Sequence, residues 1–336
     1  MNKRNKEAIS EQESDSLLKK NEAKGSVPCY SLKKQKMNTD NKKAKENSLL
    51  INLKKSWLKW KLNSCRLDSF FTILIFTILG DERFNVDSLT GRENRKMKEI
   101  VDQLLHAKTL EEIQAIITDF ALYRQMKLKE KVGEDHSIVP LFMHFGNSYH
   151  FLFSIQDNKV CNCGFKIERN FNLGPLIALT SESLKICKGN INSALNLKFQ
   201  KFLISCPQCK SNININRKVS HYPTFLIALL EFCDDYNTLD SRKSFEDFPS
   251  IILNSELKLN KSQDYILSAS CYFQAKHYST HVNQVSLKVS GLNAKKWHFH
   301  DGLLNDGRLI EGEPEKEFDI KNDELIPYIL VYKLKN

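Results

Sequence analysis

The sequence predicts an α+β domain, and three observations carry that reading. Between Arg95 and Glu130 apolar residues recur at helical spacing: Ile100, Val101, Leu104 and Leu105, then Ile113, Ile116, Ile117, Phe120 and Tyr123. From about Val139 the period changes, and short runs rich in Val, Ile, Phe and Tyr are separated by turn residues. Helices therefore precede strands instead of alternating with them, and no internal repeat is found, so a βαβ array is excluded.

The elements follow in order. Residues 1–50 hold 12 Lys/Arg against 7 Asp/Glu, are rich in Asn and Ser and poor in aromatics, and read as a disordered basic tail. Folded sequence is expected from about Ile51. The most apolar run, Phe70–Leu79 (FFTILIFTIL), falls far short of the roughly 20 residues that span a bilayer and reads as a buried helix. Two helices then fit 95–130, broken around Ala107–Thr109 with Thr109 as N-cap. Strands are expected at His150–Ile155, Leu176–Leu179, Phe225–Leu230, Tyr265–Tyr272, Gln284–Val289 and Tyr328–Tyr332.

Composition narrows the function classes. With 336 residues and 41% apolar composition the chain can bury a substantial core. The net charge of +10 suggests acidic partners, but the tail supplies +5 of it, so nucleic acid is expected only in loose contacts of the tail. The N-terminus MNKRNKEAISEQESD lacks the apolar core of a secretory signal, so an intracellular protein of nucleus or cytoplasm is expected, with no membrane partner. Nine cysteines are too few for a disulfide scaffold of this size, and nine is odd. Metal binding or a reactive thiol accounts for them better.

Four of them pair off. Cys161-Asn-Cys163-Gly164 and Cys206-Pro207-Gln-Cys209 are two tight turns, each offering two thiolates, which is the usual way to assemble a tetrahedral zinc site. Gly164 and Pro207 suit turns that need unusual or fixed backbone angles. The 42 residues between the pairs are too many for a small zinc finger and suit strands that leave the metal and return. Such a site, with four thiolates and no open position, is structural. Cys29, Cys187, Cys233 and Cys271 stand alone in tail or apolar contexts and read as bystanders.

Cys65 is different. Asn63 or Ser64 is a natural N-cap, which puts Cys65 in the first turn of the buried helix, where unpaired N–H groups and the helix dipole favour a thiolate and can hold an oxyanion. Far along the chain, the segment 265–282 reads as strand, turn and strand, with His277-Tyr278 entering the second strand. Lys296-Trp-His-Phe-His-Asp301-Gly302 reads as an aromatic-rich strand ending in a carboxylate. A thiol nucleophile needs a base, and the base needs an orienting acceptor, and two adjacent strands can bring His277 and Asp301 together facing the helix start.

This order of Cys65, C-x-C, C-x-x-C, His-Tyr and Trp-x-x-x-Asp resembles the ubiquitin-specific protease family of papain-like cysteine peptidases. The box Cys65-Arg66-Leu67-Asp68 is most similar to the divergent SUMO-specific branch, and Arg217–Ile227 resembles the Pro-containing apolar strand after the second cysteine pair. The resemblance covers about residues 56–335. It implies a helical thumb at about 56–150, zinc-binding β fingers at about 151–215 and a β palm at about 216–336, all within a catalytic domain of residues 51–336. It also implies Cys65 as nucleophile, His277 as general base, Asp301 as orienting residue, structural zinc on Cys161, Cys163, Cys206 and Cys209, and a monomer. The reaction implied is removal of ubiquitin or a ubiquitin-like modifier such as SUMO from lysine.

The sequence also departs from the family pattern. Trp60 stands where the ubiquitin-type box has an oxyanion-stabilising Asn, so Asn63 is the nearest candidate amide. Lys276 replaces the usual Gly before the catalytic His, and the His-to-Asp interval is 24 residues. His281 is an alternative base on the same strand face, although Tyr278 favours His277. His300 is a second candidate for a catalytic contact, His298 reads as a strand residue, and Asp68 as a first-turn carboxylate supporting the helix start. The departures leave open a catalytically impaired module of the same fold that binds a ubiquitin-like protein.

Overall fold

The structure, a computed structural model, describes residues 65–91, 94–128, 137–200, 202–231, 250–260, 263–274, 277–283, 296–303, 309–319 and 326–335. The tail 1–50, Trp60, Asn63 and Ser64, the strand expected at Gln284–Val289, and Cys29, Cys233 and Lys276 lie outside the described residues.

Helix α1 (Cys65–Ile73) begins at the candidate thiol and continues as a π-helical stretch, Leu74–Leu79, that ends at Gly80. Every residue from Phe70 to Leu79 is buried, as a helix apolar all round requires. Phe70 packs edge-on to Phe142 at 5.1 Å and stacks on Phe145 at 6.2 Å, which fixes the helix against the short α4. Before α4 come α2 (Arg95–His106) and α3 (Leu110–Leu128). Met97, Ile100, Val101 and Leu104 form the buried face of α2. The break between the two helices is a capping box: the Glu112 N–H donates to Thr109 Oγ1 at 3.1 Å, while Glu112 Oε2 accepts from the Thr109 N–H at 3.3 Å. Helix α4 is the single turn Val139–Met143, with proline in its first turn.

Strands β1 (Phe153–Val160) and β2 (Lys166–Leu173) make an antiparallel hairpin. The first strand starts at Phe153 rather than His150, because His150 lies in a turn where its ring accepts the Asn85 N–H and meets the Thr224 hydroxyl. After β3 (Leu176–Thr180) come two helices that the apolar pattern did not announce, α5 (Ser181–Ile186) and α6 (Ile191–Lys198). Both are set by side-chain caps, Thr180 for α5 and Asn190 for α6. A second hairpin follows, β4 (Phe202–Ser205) with β5 (Asn212–His221). The run Arg217–Ile227 is not one strand: Tyr222-Pro223-Thr224 breaks it, and β6 (Phe225–Glu231) enters another sheet. Proline supplies no ladder N–H, so the chain changes sheet there.

The remaining strands are β7 (Ser250–Ile252), β8 (Glu256–Leu259), β9 (Gln263–Gln274), β10 (His277–Asn283), β11 (Trp297–His300), β12 (Ile310–Glu311), β13 (Glu317–Asp319) and β14 (Pro327–Leu334). The two hairpins form a four-stranded sheet in the order β2-β1-β5-β4. The large sheet runs β12-β11-β10-β9-β14-β6-β3, with β8 on β9 and β3 parallel to β6. The stretch between the cysteine pairs is thus divided: after Leu173 the chain visits the large sheet and two helices before it returns at Phe202.

The large sheet is covered on both faces. Ile227, Leu229, Ile329 and Val331 join the core made by α1 to α4, whereas Leu226, Ala228, Leu230, Leu330 and Tyr332 join a second core with α5 and α6. This period-two division explains why β6 and β14 read as continuous apolar runs. A buried carboxylate fixes one end of the assembly: Asp81 takes both Arg83 and Lys333, and Arg83 also donates to the Leu334 carbonyl. The two central strands of the four-stranded sheet have a similar clamp, Arg217 on β5 bidentate to Asp157 on β1 at 2.9 Å on each oxygen.

Candidate functional site

The site begins with the packing of α1 against β10. Cys65 is the first helical residue and only 6% exposed, so its sulfur lies under the wall that β10 builds rather than in open solvent. His277 opens β10 beyond the hairpin with β9. Asp301 directly follows β11, whose last residue, His300, pairs with Thr280. By that register Asp301 stands opposite Ser279, two residues along from His277, on the side-chain parity that lets the two meet.

They do meet. His277 Nε2 lies 2.8 Å from Asp301 Oδ1, and the Cys65 thiol hydrogen-bonds to the same imidazole. With Nε2 engaged by the carboxylate, Nδ1 is the nitrogen left for sulfur. The Leu303 N–H also donates to Asp301 Oδ1 at 2.8 Å and holds the carboxylate toward the ring. Burial pulls the His277 pKa down, but the hydrogen bonds to Asp301 and Cys65 and their charges outweigh it and raise the pKa to about 9. The raised pKa favours the imidazolium, whose two N–H groups serve the Asp301 carboxylate on one side and the Cys65 sulfur on the other.

The other histidines are placed elsewhere. His281 packs against the rings of Tyr272 and Phe299, burial pulls its pKa down to about 4, and its Nδ1 has no hydrogen-bond partner among the described residues. Asp301 engages His277 instead. His300 is buried with Nδ1 3.5 Å from the Thr72 hydroxyl, and His298 is a buried strand residue. Asp68 is the acidic residue of the first turn of α1, and it is buried there, only 4% exposed. Tyr278 is buried, and its hydroxyl accepts the Ile138 N–H at 3.4 Å, which ties the start of β10 to α4. Cys271 is buried in the core with Cys65, and Cys187 is partly exposed.

The second cluster lies at the tips of the two hairpins. Cys161 and Cys163 occupy the β1–β2 turn, and Cys206 and Cys209 the β4–β5 turn. The turns are alike: Cys161 N–H donates to the Phe165 carbonyl and Gly164 N–H to that of Cys161, while Cys206 N–H donates to Ser211 and Lys210 N–H to Cys206. Each needs one left-handed residue, Gly164 at φ 89° and Lys210 at φ 60°. Because β1 pairs with β5, the turns sit side by side. All four sulfurs lie within 4.8 Å of one another, with Cys161 to Cys209 at 3.5 Å and Cys163 to Cys206 at 3.7 Å. Sulfurs about 2.3 Å from one tetrahedral ion stand roughly 3.8 Å apart, so the donor set and its spacing fit zinc.

Sequence reading missed Ser211. Its hydroxyl is 3.0 Å from Cys209 Sγ and 3.4 Å from Cys161 Sγ, contacts that no spacing rule marks. It also missed the Leu303 N–H on Asp301, a backbone donor that any residue supplies.

No protein-family model matches the chain, and no curated protein sequence matches it. Solved structures do. The SAGA DUB module of Ubp8, Sgf11, Sus1 and Sgf73 aligns with a TM-score of 0.51 at 14% identity, covering 84% of this chain and 69% of that one. The same module bound to ubiquitin aldehyde aligns with a TM-score of 0.45 at 14% identity, over 84% and 70% of the two chains. Bound to monoubiquitin, it gives 0.44 at 14% identity, over 84% and 69%. At such identity the likeness concerns fold alone: this chain shares a mixed helix-and-sheet fold with that DUB module.

Proposed function

We propose that the chain is a cysteine isopeptidase that releases ubiquitin or a ubiquitin-like modifier, SUMO included, from lysine. The observation that carries the reading is the continuous chain of contacts from Cys65 through His277 to Asp301, assembled from a helix start and two strands. The fold shared with the Ubp8-containing module supports the same class of reaction.

In this mechanism His277 takes the proton of the Cys65 thiol, and the thiolate attacks the carbonyl carbon of the modifier's terminal glycine, forming a C–S bond as the carbonyl π pair moves to oxygen. The first-turn N–H groups of α1, with Asn63 as candidate side-chain donor, stabilise the oxyanion. As the intermediate collapses, the C–N bond breaks and His277 gives its proton to the leaving lysine amine. Water then adds to the thioester, His277 takes a proton from it, the C–S bond breaks, and the free modifier carboxylate leaves. Asp301 keeps the imidazole in position throughout and favours its charged form. Cys161, Cys163, Cys206 and Cys209 would hold a zinc ion that ties the two hairpin tips together, and four thiolate donors would leave it no open position for the chemistry.

The departures at Trp60 and Lys276 motivate a second reading, a module of this fold that binds a ubiquitin-like protein without turnover. Hydrolysis of ubiquitin and SUMO C-terminal fluorogenic substrates separates the two. The isopeptidase reading expects cleavage of at least one, lost in Cys65→Ala. Binding of either modifier with no cleavage selects the second reading.

A further inference from the structure

The two halves of the cysteine cluster are not equivalent. Cys161 comes from one hairpin and Cys209 from the other, and one hydroxyl, that of Ser211, lies within reach of both sulfurs, 3.0 Å from Cys209 and 3.4 Å from Cys161. The Ser211 N–H also donates to Cys209, and the Ser211 carbonyl accepts the Cys206 N–H at 2.8 Å that closes the second turn. The residue is therefore fixed at three points before any ion is considered. Metal-bound thiolates are acceptors only, so beside them a serine hydroxyl must turn its single proton to sulfur. Its oxygen is nearer Cys209, and that sulfur receives the stronger share. Cys163 has the Phe165 N–H as a backbone donor, as Cys209 has that of Ser211, but its described side-chain neighbour is Gln208 Oε1 at 3.7 Å, an acceptor, where Cys209 and Cys161 have a hydroxyl.

We propose that Ser211 is a positioning residue of the metal centre, its hydroxyl donating to the thiolates of Cys209 and Cys161 and so bridging the two hairpins just outside the coordination sphere. The inference rests on the zinc reading of the four cysteines. Outer-shell donors of this kind orient ligands and offset their negative charge, and their loss weakens metal binding by about 10–100-fold.

The test uses the full chain, with zinc affinity measured by competition against a chromophoric chelator and cobalt(II) substituted to report the thiolate field. Ser211→Ala is expected to weaken zinc binding by about 10–100-fold and to shift the cobalt–thiolate absorption. Comparing Ser211→Thr with Ser211→Val isolates the hydroxyl at equal shape and keeps the test decisive if the alanine variant folds poorly. The threonine variant should bind zinc nearly as wild type, and the valine variant should not. Equal zinc affinity and unchanged cobalt spectra in Thr and Val variants would overturn the role of Ser211 while leaving the zinc site standing. Wild-type protein that takes up no zinc would overturn the zinc reading itself, and the role of Ser211 with it.

Discussion

Replacing Asp301 by Asn removes a charge while keeping an oxygen in place, and so separates what the carboxylate does electrostatically from what it does by hydrogen bonding. His277 is raised from 6.5 to about 9 although burial pulls the other way. That difference amounts to about 3 kcal/mol favouring the imidazolium. The His277 side chain is 22% exposed, so solvent screens this only in part. A charge-assisted hydrogen bond of 2.8 Å contributes about 1.5–3 kcal/mol, which makes Asp301 a large share of the total, with Cys65 the rest. In Asp301→Asn the alkaline limb of the kcat/KM profile should move down by roughly one to two pH units. At fixed neutral pH, kcat/KM should fall by about 10–100-fold. The shift of the limb, rather than its absolute position, is the quantity to read. The assay is a pH–rate series on a modifier C-terminal fluorogenic substrate. An alkaline limb that stays in place, with activity within about twofold of wild type, would refute the electrostatic role of Asp301.

Three further expectations follow from packing and burial. Phe70→Ala empties the aromatic contact between α1 and α4 and should cost about 3–5 kcal/mol in a denaturant titration; a loss below about 1 kcal/mol would mean that the helix is not fixed there. Arg217→Leu strands the buried Asp157 carboxylate and should cost about 3–5 kcal/mol, much of it recovered in the Arg217→Leu/Asp157→Leu double variant; additive losses would contradict the pairing. Acid should weaken the fold in two windows. Burial holds His150 at about 4, below its unfolded 6.5, so its contribution is complete above 6.5 and is lost as pH falls toward 4. Asp81, whose Arg83 and Lys333 contacts overcome burial and hold it at about 2, loses its contribution as pH falls below 3.8. His277 acts at the other end: its stabilisation is complete below 6.5 and fades as pH rises through about 9. Urea midpoints measured from pH 3 to 9 should therefore peak near neutrality, and a flat profile between pH 7 and 4 would be inconsistent with a neutral buried His150.

Local chemistry made part of this molecule readable from sequence. Thr109 marks a helix start because its hydroxyl can accept a first-turn N–H, and it takes that of Glu112. The paired cysteines name a donor set by residue type alone, and Asp301 could be singled out because a carboxylate ending an aromatic strand has few bland uses. The rest depended on register and sheet order, which join residues far apart. Nothing near Leu176 says that it will lie parallel to β6, since both strands are apolar for the same reason, burial on two faces. Helices α5 and α6 were hidden because their buried faces are short and their caps, Thr180 and Asn190, are common turn residues. His277 and His281 have the same parity on β10 and flank Ser279, the residue opposite Asp301, so side-chain packing decides between them: His281 is held against Tyr272 and Phe299 while His277 reaches the carboxylate. Ser211 acquires meaning from a sulfur 50 residues away.

The proposed isopeptidase requires Cys65 to be a nucleophile aimed at a modifier's C-terminal carbonyl. Incubating the protein with ubiquitin and with SUMO bearing a C-terminal electrophile, then mapping the adduct by mass spectrometry, tests it most directly. One stoichiometric adduct on Cys65 is expected, formed with at least one of the two modifiers, absent in Cys65→Ala and strongly slowed in His277→Ala. No adduct with either modifier, or an adduct on another cysteine while Cys65 stays free, would contradict it.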